Sequence, residues 1–196
     1  MIQTQDVLKT AKLGLEDLRK GKPDRRRAAL QNVVVFGRAV TNVLQNLRKT
    51  EPEFDDWYAK YQREMQSDPL MRFFYEMRSQ ILKEGRTDVL SFAQIRNLKL
   101  PEDLTRFGPP PPNARRFFIG DKDGGSGWEI QLPDGSIEKY YVELPSDIGT
   151  SSLVFSSPPE QHLGQTLEDN SIGTCSALYV AYLEDLVRSA VEKFGK

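Results

Sequence analysis

The sequence predicts an α+β fold, mainly α: an antiparallel helical bundle with a small antiparallel β-sheet or hairpin insertion. Three observations carry that expectation. Five segments, 6–19, 24–48, 53–66, 69–84 and 174–194, repeat apolar residues at three- and four-residue spacing, which gives a helix one buried stripe. Residues 115–143 switch to short β-forming runs around turn sequences. Between these regimes stands FGPPPPN, residues 107–113, a stiff spacer that cannot continue a regular helix. A chain of 196 residues is long enough for one sizeable core, so one domain, 1–196, is expected.

In the first segment the apolar positions are Val7, Leu8, Ala11, Leu15 and Leu18. Gly21 and Pro23 break it, and Asp24 is a candidate cap for the long helix that follows. That helix has its main stripe at Ala29, Val33, Phe36, Val40, Val43 and Leu47, widened by Val34, Val35 and Leu44, as in a helix contacted on more than one side. After Glu51–Pro52, Phe54, Trp57, Tyr58, Tyr61 and Met65 return at helical intervals. Asp68–Pro69 is the clearest start in the chain, a side-chain cap followed by proline at the first helical position. Leu70, Phe73, Phe74, Met77 and Ile81 line the next stripe, and Gly85 is its stop.

Beyond the proline run, 115–119, 127–132 and 136–143 read as short strands, with LPDGS as the turn between the last two. GDKDGGSG reads as a turn. It lacks the lysine–serine/threonine pattern of a phosphate loop, and Asp121 and Asp123 lack the spacing of a calcium loop. Residues 145–170 read as an irregular loop. The last helix carries Tyr179, Tyr182, Leu183, Leu186, Val187, Ala190 and Val191 on its buried face.

One cysteine and one histidine leave no intrachain disulfide and no Cys/His metal cluster, so neither metal nor cofactor is expected. Cys175 reads as a space-filling residue near the start of the last helix. No run of apolar residues approaches the length of a membrane span, and the N-terminus lacks an apolar export core, so a cytoplasmic protein is expected. The net charge of −1 conceals an uneven distribution. Residues 1–100 carry 19 Lys/Arg against 13 Asp/Glu, and residues 101–196 carry 8 against 15. RKGKPDRRR, from Arg19 to Arg27, is the basic peak; such a run meets a phosphate backbone or solvates a turn.

The helix 69–84 places Arg78 on a face with Met71, Tyr75 and Leu82, and its end reads RSQILK, residues 78–83. This run resembles the R-x4-H region of the HEPN family, with Arg78 at the arginine position, Ser79 as the neighbouring polar residue and Lys83 where the family has histidine. The resemblance implies a small helical bundle, commonly dimeric, and in many members a metal-independent ribonuclease whose paired subunits build a composite site. Lysine changes that chemistry. An unshifted lysine is charged and donates only, so Lys83 suits phosphate binding and not proton exchange.

His162 is the remaining proton-transfer group, and a site at Arg78 and His162 requires the two to share a cleft, within one chain or across a dimer. Arg72, Tyr75, Arg78, Ser79 and Lys83 are then the candidate binding residues. The aromatic series Phe54, Trp57, Tyr58, Tyr61, Phe73, Phe74 and Tyr75 reads as core and subunit burial, consistent with a homodimer. The leading functional reading is a non-enzymatic binding or protein-interaction module, with RNA or an acidic protein as candidate partner. The rivals are a divergent HEPN-like ribonuclease with a relocated histidine, and a small-ligand-binding protein with residues 145–170 as a lid.

Overall fold

The helix Pro69–Glu84 shows how closely local sequence sets an element here. Asp68 accepts a hydrogen bond from the Met71 amide at 2.8 Å, Pro69 fills the first turn, and Gly85 closes the helix in the left-handed region at φ 68°. The computed structural model describes residues 1–169 and 171–195. Position 170, the end of the expected loop, and position 196, the end of the expected domain, lie outside the described residues.

The chain forms two compact units, one of Met1–Gly21, Arg26–Asp88 and Ser157–Lys196, the other of Lys22–Arg25 and Val89–Ser156. Among the described residues the first unit holds five α-helices: α1 (Ile2–Lys20), α2 (Arg26–Leu44), α3 (Phe54–Ser67), α4 (Pro69–Glu84) and α5 (Ile172–Phe194). Within it α1 packs on α2 and α5, α2 also meets α4 and α5, and α3 lies on α4. Leu30, Val33, Val34, Val40 and Leu44 of α2 are buried, as are Phe74 of α4 and Leu183 and Leu186 of α5. Each such side chain contributes roughly 1.5–3 kcal/mol by leaving water. Leu44, Phe54, Tyr58, Leu186, Ala190 and Phe194 make one continuous cluster, with Trp57, Tyr61 and Met65 on its margin.

The second unit is built from strands. β1 (Val89–Ile95) pairs antiparallel with β5 (Gly149–Phe155), and β2 (Ala114–Ile119), β3 (Ser126–Gln131) and β4 (Ile137–Val142) form an antiparallel meander in that order. Gly135, at φ 86°, turns β3 into β4, and the Asp134 carboxylate accepts from the amide and hydroxyl of Ser136. A further hairpin, β6 (Gln161–His162) with β7 (Gln165–Thr166), belongs to the helical unit. Its two-residue turn places Leu163 at φ 48° and Gly164 at φ 75°, the pair of left-handed residues that a tight hairpin requires.

These strands correct the expected fold class. The structure is 54% helical with 19% strand, and among the described residues the strands form separate antiparallel sheets of two, three and two strands. It is not a plain helical bundle carrying one hairpin insertion. The expected β insertion at 115–143 omits β1, β5, β6 and β7. β1 escaped because every position after Val89 is exposed, which leaves no alternation between buried and exposed faces to read. The segment 145–170 is likewise not irregular throughout, since it contains β5 and the β6–β7 hairpin. No helix among the described residues is long and apolar enough to cross a membrane.

Candidate functional site

Helical spacing collects polar side chains from four helices around one cleft of about 480 Å³. Arg38 and Thr41 lie on one face of α2 and Gln45 follows its last residue, Tyr58, Gln62 and Met65 lie on one face of α3, and Tyr179 and Leu183 one turn apart on α5. α4 contributes Met71, Arg72, Tyr75 and Glu76. Met65, Met71 and Leu183 supply an apolar lining, and hydrogen-bond donors dominate the rest.

Arg38 is half-buried and held from two sides. Its guanidinium donates to Thr41 Oγ1 at 2.6 Å and lies 5.1 Å from the centre of the Tyr75 ring. Thr41 Oγ1 in turn donates to the Arg38 carbonyl at 3.0 Å. These contacts fix the fork without neutralising it. Among the described residues neither Arg38 nor Arg72 forms an ion pair, and Glu76 is the one carboxylate on the lining.

The phenols are tuned in the same direction. Burial pushes the Tyr58 hydroxyl above its ordinary pKa, partly offset by the Arg38 and Arg48 cations and the Thr41 hydroxyl. Burial raises Tyr179 too, again opposed by Arg38. Both therefore stay protonated at neutral pH and can donate. Tyr179 stacks flat on Phe74, with ring centres 4.2 Å apart, and its ring reaches the cleft by crossing the backbone of α2 at Gly37. A Cβ at Gly37 would stand 2.4 Å from Tyr179 Cε1, so this position tolerates hydrogen alone without repacking.

The structure separates the residues that the sequence singled out. Arg72 and Tyr75 line the cleft; Arg78, Ser79 and Lys83 do not. Arg78 follows Arg72 by six residues, which turns it about 120° away around the helix axis. Ser79 Oγ donates to the Tyr75 carbonyl at 3.3 Å, and Lys83 is exposed in the last turn. His162 is buried at the opposite end of α4, with Nδ1 3.1 Å from Asp68 Oδ1. The ten residues from Asp68 to Arg78 span about 15 Å of helix, so within one chain Arg78 and His162 are not brought together.

Residues 18–102 match the family model of the bacteriophage lambda protein ea47. The matched stretch is somewhat less than half of the chain. It includes α2, α3 and α4, and with them Arg38, Arg72 and Tyr75, and it also includes β1. Over those residues the chain is similar to a phage protein. No curated protein and no solved structure matches the chain.

Several cleft residues escaped the sequence reading because they sit inside apolar stripes. Arg38 stands in VVVFGRAV, where a cation directly follows a buried glycine. A charge at that place in a central helix, next to the residue that admits Tyr179, is the signal that points to the site. Tyr58 and Tyr179 are buried, as their helical spacing predicts, and both also line the cleft.

Proposed function

We propose that the helical unit is a binding module whose cleft takes a small molecule bearing a phosphate or carboxylate group. One observation carries this reading: two guanidinium groups, Arg38 and Arg72, line a four-helix cleft without a carboxylate paired to either. A guanidinium fork matches a planar or tetrahedral oxyanion in geometry as well as charge. The protonated phenols of Tyr58 and Tyr179 add neutral donors, and Met71 and Leu183 favour an apolar or aromatic remainder on the ligand. A concave cleft of this size suits a small molecule better than a nucleic-acid backbone, which is met by a row of exposed cations. Our reading contains no cleavage step, since His162 is engaged by Asp68 and lies far along α4 from Arg78.

Isothermal titration with phenyl phosphate and with inorganic phosphate tests the proposal. Phenyl phosphate should bind more tightly than phosphate alone, and Arg38→Gln and Arg72→Gln should each weaken it. Losing one charge-assisted contact is worth about 1.5–3 kcal/mol, or roughly a 10- to 100-fold loss. Absence of binding by the wild-type protein, or binding indifferent to both substitutions, overturns the reading.

A further inference from the structure

Among the described residues the outer edge of β1 has no partner strand, although its sequence is that of a strand built to be covered. From Val89 to Ile95 it reads VLSFAQI, without a charge, a proline or a bulge. Leu90, Phe92 and Ile95 are 56%, 48% and 46% exposed. Natural edge strands that face water carry lysine, proline or a bulge to prevent pairing.

The pattern is complementary to itself when the strand is reversed. Asp88 precedes the strand and Arg96 follows it, so Asp88, Leu90, Phe92, Gln94 and Arg96 alternate onto one face. In an antiparallel pair of two copies centred on Phe92, each Asp88 stands opposite the second copy's Arg96, Leu90 opposite Gln94, and Phe92 opposite itself. A parallel pair would set like charges against each other.

Backbone direction fits the same register. The Arg96 amide donates to the Ile148 carbonyl at 2.8 Å, so even-numbered residues turn their amide and carbonyl groups toward β5. Odd-numbered residues, Val89 to Ile95, therefore turn theirs to the open edge. In the Phe92-centred register these odd residues face one another and supply about eight backbone hydrogen bonds, while the even residues become the close, non-hydrogen-bonded pairs.

We infer that β1 pairs antiparallel with β1 of a second copy about a two-fold axis at Phe92, joining two β1–β5 ribbons into one four-stranded sheet. Such a two-fold contact is closed, so it covers the edge without propagating into a fibre. A contact of this length is small among specific interfaces, and the dimer should dissociate on dilution.

Cysteine cross-linking tests the register directly. In a close pair opposite Cβ atoms lie about 5 Å apart, so Phe92→Cys should oxidise to a disulfide-linked dimer, whereas Gln94→Cys, offset from its own copy, should not. Cys175 is buried and will not compete. Sedimentation across a concentration series gives the second readout. Asp88→Arg and Arg96→Asp should each weaken dimerisation about tenfold or more, and the double exchange should restore it. Circular dichroism of each variant should match the wild type, and only variants that retain the fold are scored. A wild-type monomer at every concentration overturns the inference. So does a dimer that ignores both charge reversals, or one cross-linked equally through positions 92 and 94.

Discussion

The Asp68 carboxylate is shared between the start of α4 and the buried ring of His162. Oδ1 accepts from the Met71 amide at 2.8 Å and lies 3.1 Å from His162 Nδ1, while Oδ2 accepts from the Leu163 amide at 2.7 Å. A carboxylate only accepts, so the contact assigns the proton to Nδ1. The Tyr182 ring meets the imidazole edge-on, with centres 6.2 Å apart. One side chain thus caps a helix and fastens the β6–β7 hairpin to it.

Asp68→Ala should therefore destabilise the helical unit by more than a lost cap. The cap is worth about 1 kcal/mol, and loss of the hydrogen bond from the Leu163 amide, on an exposed residue, adds roughly 0.5–1.5 kcal/mol. Chemical denaturation should show the sum, with Asp68→Asn intermediate because the amide retains one acceptor oxygen.

Gly37→Ala sets helix propensity against packing. Alanine favours the helix by about 1 kcal/mol, but its Cβ would stand 2.4 Å from Tyr179 Cε1, and overpacking of that kind costs roughly 1–3 kcal/mol. The variant should be less stable than wild type or at best equal, and its ligand affinity should fall because Tyr179 must leave the cleft.

In the strand unit, Asp121 gives a pH-dependent contribution. Burial pushes its pKa up, but hydrogen bonds from Lys139 at 2.7 Å, the Gly125 amide, Tyr141 and the Asp123 amide together outweigh it and hold the carboxyl below its ordinary value. A lowered folded-state pKa stabilises at pH values above the unfolded pKa, near 3.9, and that stability disappears as pH falls through the still lower folded value. Denaturation of the wild type should show this loss below about pH 4, and Asp121→Asn should flatten that part of the profile.

What the sequence disclosed follows from where each signal is local. The ends of α4 are written in Asp68–Pro69 and Gly85, and the β3–β4 turn in Pro133–Ser136, because caps and tight turns depend on neighbouring residues. β1 and β5 depend on each other across the whole meander, and the exposed β1 leaves no burial pattern to read, so neither is legible from its neighbouring residues. The β6–β7 hairpin was hidden for another reason, since its turn puts Leu163, not asparagine or glycine, in a left-handed conformation. At the site, Arg72 and Tyr75 were legible on α4. Arg38 was not, because its importance arises from three other helices meeting it.

The geometry also separates the cleft from the residues beside it. Arg78→Ala and His162→Ala should leave phenyl phosphate affinity within about twofold of wild type, while His162→Ala should lower stability through the Asp68 contact by roughly 0.5–1.5 kcal/mol. A large loss of affinity in Arg78→Ala would move the binding site along α4.

Arginine side-chain NMR tests the central claim most directly. Nε–Hε signals of the wild-type protein should be assigned by substitution and followed as phenyl phosphate is added. The Arg38 and Arg72 signals should shift together and saturate, with Arg78 unmoved. Shifts confined to Arg78 or to the Arg19–Arg27 cluster, or none at all, would contradict an anion site in the four-helix cleft.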